Sequence, residues 1–520
     1  MKRKYWLLLG IIFVVALLFR FYAFRESIYF AYDQARDAFE AQDIYVNRNI
    51  KILGLPATGN MGIYHGPLFW YMTGPMYLLF HGDPAGVSAI FRVINALGVI
   101  LIFVIASKMI NKRVGLMAAF LYAISFEETQ YAFYVGNPTL GVIFIPLIYL
   151  GALLIYKKSK YRNWSLILMF GSAAAATQMN LMFAYNFGVV LLLLVIVRKQ
   201  VKELPLSAWV WGILSMLLIL SSYFLAEIKF NFRETKTAIK LLSTGFGVMS
   251  PGQSKYLLFW DKYLTMYKDN FFGILQKESL IVWVMAIVTP LWLIYKARKS
   301  TVYRILLVWI FSWALLMMLG GHTGYYTNAG IGVGIIIGVS SLIMSVAKTK
   351  MKYLIVVVLV LFVYTNALKV TEQSPKSLIT EMISQTGMKL ADEHRVIDQM
   401  YAEASGSAFT IRETGVPYKI QTVWAYLFNQ YALPKYGYLP YWENGNTLGF
   451  PGKLPTPING TTCIRYLLRE PTKGLPGNLI EGDVKEENKF SAVIKREEIG
   501  DFLLEVRQST DKVCHNTKPI

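Results

Sequence analysis

The chain has 520 residues, of which 55% are hydrophobic, 15% aromatic and only 16% charged, and its formal net charge is +20. A soluble domain carries about 25% charged residues, whereas this chain repeats apolar runs of about 20 residues, long enough to cross a bilayer as helices. Because open sheets and loops cannot face lipid, the composition excludes an ordinary soluble protein and predicts an all-α polytopic membrane protein.

The positive charge indicates topology rather than nucleic-acid binding. Lys and Arg cluster in short linkers between apolar runs, among them "MKRK", "YKKSKYR", "RKQVK" and "YKARKSTVYR". Short linkers of this kind are typical of cytoplasmic loops under the positive-inside rule. The charge therefore predicts a multi-pass protein of the cytoplasmic (plasma) membrane, with membrane lipid around it and no nucleic-acid partner.

Eleven spans are expected, with the N-terminus inside and the C-terminus outside. The first, 5–24, has no small-residue cleavage site behind it, so we expect an uncleaved anchor rather than a cleaved signal. Residues 25–84 are expected outside with interfacial or re-entrant helices, since Pro67 and Pro75 interrupt "HGPLFWYMTGPMYLLFHGDP". The other ten spans are expected at 86–107, 113–130, 138–156, 164–180, 183–198, 206–226, 279–295, 304–320, 329–347 and 353–370.

A membrane domain of residues 1–370 is expected to precede an external α+β domain of residues 371–520. Within the latter, "QTVWAYLFNQYAL" predicts an amphipathic helix, and "KFSAVIKREEIGDFLLEVRQ" predicts two strands that turn at Gly500. Both cysteines, Cys463 and Cys514, lie here. An external compartment permits a disulfide between them, and two free thiols are the alternative.

A run of charged residues, "YDQARDAFEAQDI", follows the first apolar helix. On a helix, Asp33 and Asp37 lie four residues apart on one face, with Arg36 beside both. One interpretation is a solvated juxtamembrane helix whose acidic start suits the helix dipole. The other is catalytic: a carboxylate that a nearby arginine keeps ionised can act as general base on a hydroxyl. Spacing alone favours the first interpretation, whereas the neighbouring loop with His65 and several aromatic residues favours the second.

The order of these segments resembles the membrane glycosyltransferases of the C superfamily (GT-C). A basic N-terminus and one span are followed by "YDQARDAF", then by "HGPLFWYMTGPMYLLFHGDP", then by a span ending in "SKMINKRVGLMAAFLYAIS". The order is most similar to the protein O-mannosyltransferase and aminoarabinose-transferase branch (glycosyltransferase family 39-like). That branch has an acidic signature after its first span and then an "(H/K)-(P/G)-P-L-x-x-(Y/W)" box. The resemblance is best over residues 1–160 and looser to residue 370.

The resemblance implies roles for residues of the first external segment. Asp33 matches the catalytic acidic position, which deprotonates or orients the acceptor hydroxyl. Members often have Asp-Glu there, whereas this chain has Gln34 in the second place, so Asp37 is the candidate second catalytic carboxylate. Arg36 is expected to bind substrate. His65 matches the first position of the box and is expected to meet a phosphate or a sugar hydroxyl, a satisfied interfacial histidine being the alternative.

The acidic position that the family usually has before its fourth span is Asn137 in this chain, within "GNP". An asparagine cannot act as a base, so its expected roles are to orient a substrate or to cap the following helix. Glu127 and Glu128 lie in the same loop and are candidates for the missing charge. A solvated loop is the favoured interpretation for both.

Two later segments also resemble the family. Glu227 ends the seventh span as in a "Phe-(Asp/Glu)-(Leu/Ile)-(Arg/Lys)" ending, and with Lys229 and Arg233 it is a candidate for the donor pocket. A solvated charge at a span end is the alternative. "GHTGYYTNAG" resembles an external "H-x-x-Y" element near the donor phosphate, which points to His322, Tyr325 and Tyr326 as substrate-binding candidates.

Topology limits the donor, because nucleotide sugars are not available outside the cytoplasmic membrane. The expected function is transfer of a sugar from a polyprenyl-phosphate donor to a hydroxyl of an unknown protein, lipid or glycan acceptor. Asp33 would be the base, Arg, Lys or His would stabilise the leaving phosphate, and the family implies inversion. No cofactor is expected; a divalent metal is compatible with this chemistry, but no cluster with ligand spacing indicates one.

Two other classes compete with sugar transfer. A transporter or flippase of lipid-linked sugars is the main alternative, and it would need polar residues at mid-membrane, often in broken helices forming repeats. The spans carry few such charges, and no two halves match. A membrane-anchored adhesion or receptor protein would not need eleven spans.

Overall fold

A computed structural model describes residues 3–57, 62–244, 254–318, 324–347, 352–383, 385–457, 462–471, 475–511 and 513–518. These residues form a bundle of helices followed by a mixed sheet with helices packed around it. The bundle comprises α1 Arg3–Phe21, α2 Tyr32–Val46, α3 Leu68–Leu79, α4 Pro84–Met109, α5 Lys112–Ile124, α6 Phe126–Phe133, α7 Gly141–Tyr156, α8 Ser172–Met179, α9 Tyr185–Ile196, α10 Arg198–Val201, α11 Leu206–Ile219, α12 Ser221–Lys229, α13 Arg233–Thr244, α14 Lys255–Phe271, α15 Leu280–Ala297, α16 Thr301–Phe311, α17 Ala314–Met318, α18 Gly332–Val346 and α19 Lys352–Gln373.

Helix length supports fewer membrane crossings than the sequence predicts. Among the described residues, five helical stretches are long and apolar enough to cross, or six if α11 and α12, bent by 50°, count as one. The remaining predicted spans are helical but shorter or broken, so the count of eleven stays a prediction. The five stretches are Arg3–Phe21, Pro84–Met109, Asn137–Tyr156, Leu280–Ala297 and Tyr353–Lys376.

Side-chain caps explain where several helices begin. Asp83 precedes α4 and accepts a hydrogen bond from the Ala85 amide at 2.8 Å, with Pro84 in the first helical turn. Asn111 accepts from two amides at the start of α5, and Ser125 accepts from the Glu128 amide at the start of α6. These caps satisfy amides that have no partner within the helix. They also set the short turns that hold α4, α5 and α6 together.

The bundle core contains a stacked aromatic pair that joins α7, α16 and α18. The rings of Tyr149 and Trp309 lie 4.3 Å apart and are nearly parallel. The Trp309 indole donates to the carbonyl of Gly330 at 2.9 Å. Gly330 has φ +81°, and a Cβ there would come within 2.6 Å of the Gly141 carbonyl. Only glycine therefore allows this turn to pack so closely against the start of α7.

The described residues of the C-terminal part form a five-stranded sheet with the order β2–β1–β3–β5–β4. Strand β1 is parallel to β2 and β3, while β3–β5 and β5–β4 are antiparallel. The predicted pair of strands about Gly500 is confirmed as β4 and β5, and Gly500 has φ +61°. The elements are α20 Leu390–Ala404, β1 Phe409–Thr414, α21 Thr422–Leu427, α22 Leu433–Tyr436, β2 Tyr441–Trp442, β3 Ile464–Arg469, α23 Gly477–Glu487, β4 Ser491–Ile499 and β5 Phe502–Ser509.

Two sequence expectations for this part are decided by packing. "QTVWAYLFNQYAL" is helical, as α21, a π-helical stretch and α22, but residues 421–428 are buried throughout rather than amphipathic. The reason is that Trp424 packs against Phe502 of the sheet, while Tyr426 packs edge-on against Phe39 of α2 at 5.0 Å. Cys463 and Cys514 form a disulfide. The domain boundary at residue 370 remains a prediction.

The C-terminal part is joined to the start of α2. Tyr29 and Lys389 form an antiparallel bridge, and the Phe30 amide donates to the Met388 carbonyl at 3.2 Å. The Tyr426 hydroxyl donates to the Gly82 carbonyl at 2.6 Å, just before α4. We call this end of the bundle the sheet end, and the opposite end, where α1 starts and α4 turns into α5, the linker end. The charged face of α2 thus lies at the sheet end.

Candidate functional site

The first turns of α2 hold three charged residues in one ion-pair chain. Arg36 Nη1 lies 2.7 Å from Asp33 Oδ1, and Arg36 Nη2 lies 2.9 Å from Asp37 Oδ1. The two carboxylates differ in exposure, because the Asp33 side chain is 50% exposed and the Asp37 side chain 4%. The helical spacing predicted this grouping, and the structure adds that only one carboxylate of the pair is open to an incoming molecule.

Trp70 of α3 explains why Asp37 is closed off. Its indole Nε1 donates to Asp37 Oδ1 at 2.9 Å, and both side chains are buried. Burial raises the pKa of Asp37, although the charge of Arg36 and the Trp70 hydrogen bond act in the opposite direction. Sequence reasoning missed Trp70 as a site residue. It lies inside the quoted box, "HGPLFWY", and this was the only signal that pointed to it.

Gln34, at the second place of the acidic signature that the resemblance implies, has a structural role. Its side-chain oxygen accepts from the Ala31 amide at 3.3 Å, and its amide nitrogen donates to the Val135 carbonyl at 3.1 Å. The first bond closes the start of α2, and the second ties α2 to the segment after α6. A glutamate could not donate the second bond while ionised. The Gln34 side chain therefore fixes the first turn of α2, which carries Asp33.

Three tyrosines lie within electrostatic reach of the Asp33–Arg36 pair. The Arg36 guanidinium lies 5.4 Å from the ring centre of Tyr32. Burial and then the charge of Asp33 raise the pKa of Tyr326, and the same two causes raise the pKa of Tyr134. Tyr326 is therefore within electrostatic reach of Asp33, and its predicted contact with the substrate stays a prediction, whereas Tyr134 was not predicted. Aromatic rings with hydroxyl groups around a carboxylate form a surface suited to a sugar.

His65 lies buried behind this surface as a neutral ring. Its Nδ1 accepts from the Leu181 amide at 3.0 Å, so the proton is assigned to Nε2. Burial, and then the charge of Arg36, lower the pKa of His65 to about 4, while Asp33 raises it. His65 is therefore a buried neutral histidine that ties the loop before α3 to the segment after α8, within electrostatic reach of Asp33. Its predicted contact with a phosphate or sugar hydroxyl stays a prediction.

Asn137 does not cap a helix. Its buried side chain donates from Nδ2 to the Met179 carbonyl at the end of α8. The expectation of a capping role is therefore wrong, because the side chain spans two segments instead of folding back on its own turn. A role in substrate orientation stays a prediction, and the Nδ2 donor is engaged by the Met179 carbonyl.

Glu227 and its neighbours are close to the His65 loop. Glu227 Oε1 accepts from the Thr235 amide at 2.8 Å, in the first turn of α13. The Arg233 guanidinium lies 5.4 Å from the Tyr64 ring, next to His65 in the chain. The partly buried Glu227 thus stabilises a helix start, and Arg233 is the exposed cation facing this loop. His322, the remaining predicted residue, lies outside the described residues.

Glu127 and Glu128 are buried, at 1% and 0% exposure, so the expectation of a solvated loop is wrong. Glu127 accepts from Asn270 of α14 and from the Tyr131 hydroxyl. Asn95 of α4 donates to Glu128 at 3.5 Å. The short helix α6 packs between α4, α14 and α19, which no local pattern indicates. Both glutamates therefore belong to a buried polar network and not to the open surface around Asp33.

Within the described ranges, no group of three or more His, Cys, Asp or Glu side chains is placed to hold a metal ion. The chemistry available at the α2 surface is that of a half-exposed carboxylate with an arginine and phenolic hydroxyls. Such a set can accept a proton from a hydroxyl and orient a polar ligand. Asp33 is the only member of the charged trio whose side chain is substantially exposed.

Comparison with known proteins agrees with the resemblance. Residues 64–246, less than half of the chain, match the family model described as dolichyl-phosphate-mannose-protein mannosyltransferase. No curated protein sequence matches the chain. The matched segment begins at the loop of His65 and includes α3 to α13.

Solved structures share the fold over most of the chain. ArnT from Cupriavidus metallidurans bound to undecaprenyl phosphate is similar with a TM-score of 0.61 and 10% identity, covering 98% of this chain and 99% of that one. AglB, the oligosaccharyltransferase of Archaeoglobus fulgidus, in complex with an inhibitory peptide and a dolichol-phosphate, is similar with a TM-score of 0.50 and 12% identity. The match covers 99% of this chain and 75% of that one. The Archaeoglobus fulgidus oligosaccharyltransferase tethered with an acceptor peptide has a TM-score of 0.51 and 12% identity, and the match covers 81% of this chain and 63% of that one. These findings agree with the resemblance: the chain shares the fold of ArnT and AglB over most of its length, and residues 64–246 match the mannosyltransferase family model.

Proposed function

We propose that this protein transfers a sugar from a polyprenyl-phosphate donor to an acceptor hydroxyl at the sheet end of its helical bundle. The observation that carries the proposal is the asymmetry of the α2 carboxylates. Asp33 is half-exposed at the first turn of α2, while Arg36 connects it to the buried Asp37. An exposed carboxylate held in position by a buried anchor is what a general base needs.

In the proposed reaction, one Asp33 oxygen accepts the proton of the acceptor hydroxyl. The acceptor oxygen forms a bond to the anomeric carbon, and the bond from that carbon to the phosphate oxygen breaks. Its electron pair leaves with the polyprenyl phosphate, and attack opposite this group inverts the anomeric centre. Arg36 holds the carboxylate, and Asp37 acts as a positioning residue through Arg36.

A cation near the leaving phosphate would stabilise the charge that develops there. Arg233 suits this role because it is exposed beside the Tyr64 ring and, among the described residues, forms no ion pair. The solved structures of ArnT and AglB hold undecaprenyl phosphate and a dolichol-phosphate, respectively. Those ligands support a lipid-phosphate donor for this chain as well. The sheet end is proposed to face the outside of the plasma membrane, since the basic linkers occupy the other end.

The test measures sugar transfer by purified protein in proteoliposomes that contain a panel of polyprenyl-phosphate sugars. Asp33→Asn is expected to lower kcat by about 10²–10⁴-fold, the usual contribution of a general base. Its thermal unfolding midpoint should be unchanged, because the side chain is half-exposed and Arg36 keeps Asp37.

Glu40→Gln is the matched control, since it removes one charge from the same helix while Lys51 keeps its second partner, Asp43. It is expected to transfer at the wild-type rate. Wild-type rates in Asp33→Asn would reject the assigned base. Movement of the lipid-linked sugar across the bilayer without any transfer would favour the transporter instead.

A further inference from the structure

A groove of about 570 Å³ lies at the linker end of the bundle. It is bounded by the start of α1, the turn between α4 and α5, the ends of α15 and α18, and the start of α16. Helix α1 begins here and rises about 28 Å, at 1.5 Å per residue, before it approaches the sheet end. The groove is therefore remote from Asp33, and we call it the basic groove.

Three cations line the basic groove, and none of them has a partner of opposite charge among the described residues. They are Lys112 and Arg113 at the start of α5 and Lys296 near the end of α15. None of its lining residues is acidic, and none of the three cations forms an ion pair within the described part of the chain. The large cavity between α14, α19 and the sheet differs in this respect, since its lining mixes lysines with carboxylates.

Aromatic rings hold two of these cations in place. Lys112 Nζ lies 5.3 Å from the ring centre of Tyr5, and Lys296 Nζ lies 5.6 Å from that of Trp292. Such contacts are favourable for ammonium groups and leave their remaining N–H donors available. Trp and Tyr are also the residues that settle at the level of lipid headgroups.

The remaining lining supplies hydroxyl groups and an apolar wall. Ser345 lines the groove, and the Tyr303 and Ser341 hydroxyls lie 3.3 Å apart. Val114 and Met344 add apolar surface beside them. Cations and hydroxyls next to apolar side chains match a molecule that carries a phosphate at one end and hydrocarbon at the other.

We propose that the basic groove binds the headgroup phosphate of an anionic glycerophospholipid from the leaflet at the linker end. Basic pockets between membrane helices on the cytoplasmic side bind such headgroups because an anionic lipid replaces the missing counter-charge. The phosphodiester would lie among Lys112, Arg113 and Lys296, and the first acyl methylenes would lie against Met344. This binding goes beyond sugar transfer and does not depend on it.

The test uses purified full-length protein in detergent and counts bound lipid by native mass spectrometry. Phosphatidylglycerol is titrated against phosphatidylcholine of the same acyl chains, and inorganic phosphate is added in a separate arm. The wild type should retain phosphatidylglycerol in preference to phosphatidylcholine, and phosphate should not displace it. The variant Lys112→Ala/Arg113→Ala/Lys296→Ala should bind phosphatidylglycerol roughly a hundredfold more weakly, which is about 2.8 kcal/mol at 1.4 kcal/mol per tenfold.

The matched control is Arg198→Ala/Lys199→Ala/Lys202→Ala, which removes three exposed cations from the α9–α11 linker outside the groove. It should bind like the wild type. If it loses as much affinity as the groove variant, the cations act as a general basic belt and the site is refuted. Displacement by inorganic phosphate alone would refute a lipid site in favour of a phosphate site.

If the triple groove variant does not fold, Lys296→Gln serves as the second variant. It removes the charge and keeps part of the packing of the lysine stem. Its thermal unfolding midpoint should rise less with added phosphatidylglycerol than that of the wild type, and an equal rise in both proteins would overturn the proposal.

Discussion

Replacing His65 by asparagine should make the protein less sensitive to acid. The buried ring accepts a hydrogen bond at Nδ1 from the Leu181 amide. An asparagine oxygen can take the place of Nδ1, so His65→Asn keeps an acceptor for that amide while removing the titratable group. The substitution thus separates the effect of protonation from the effect of losing the bond.

The expected size follows from the pKa of the ring. Burial lowers the pKa of His65 from 6.5 to about 4, so the unfolded chain binds a proton at a higher pH than the folded protein. The contribution of the neutral His65 ring to the free energy of unfolding is therefore fully present above about pH 6.5. It falls as the pH is lowered toward about 4 and levels off below that. One pKa unit is 1.36 kcal/mol, so His65 accounts for about 3 kcal/mol of the acid loss.

The assay is thermal unfolding of the detergent-solubilised protein between pH 7.5 and about pH 4, where the native ring begins to titrate. The midpoint of His65→Asn should fall less with acid than that of the wild type. His394, whose pKa burial also lowers to about 4, is present in both proteins and cancels in the comparison. His81→Asn, at an exposed turn with φ +51°, is the control and should follow the wild type. Parallel profiles for His65→Asn and the wild type would refute a buried neutral ring.

Three further outcomes are expected. Trp70→Phe removes the indole hydrogen bond to the Asp37 carboxylate, and a hydrogen bond to a charged group is worth about 1.5–3 kcal/mol. The kcat of sugar transfer should therefore fall about tenfold or more, with little change in KM for the sugar donor. A change in KM alone would contradict a positioning role for Asp37. Replacing Cys463 and Cys514 by serine opens a loop of 51 residues and should lower the free energy of unfolding by about 4 kcal/mol, because the unfolded chain gains entropy. A thermal unfolding midpoint equal to that of the wild type, with or without reductant, would contradict this. Tyr426→Phe removes the 2.6 Å hydrogen bond to the Gly82 carbonyl and should lower the free energy of unfolding by about 1–3 kcal/mol. Limited proteolysis of the variant should show earlier cleavage near that contact. An unaltered cleavage pattern would contradict a stabilising role for this bond.

The sequence could predict those parts of the fold that depend on residues close together in the chain. The apolar runs predicted helices in a membrane, and helical spacing placed Asp33, Arg36 and Asp37 on one face. The alternating pattern about Gly500 predicted β4 and β5. Each of these depends on residues within about four positions of one another, since helix and strand periodicities are short.

Exposure within the candidate site could not be predicted in this way. Asp33 and Asp37 have the same chemistry and the same local spacing. Trp70, which lies 33 positions from Asp37 in the chain, buries and binds only the second. Likewise the side-chain amide of Asn137 donates to the Met179 carbonyl, 42 positions away in the chain. Local reasoning expected this side chain to cap a helix or to contact a substrate.

The sequence by itself determined the class of the protein, the order of its motifs and the identity of the charged face on α2. Only the tertiary structure decided which carboxylate is open, that Glu127 and Glu128 are buried, and that Cys463 and Cys514 are joined. The physical reason is that helix and strand formation depends on short-range spacing, whereas burial, counter-charge and disulfide pairing depend on which distant segments pack together.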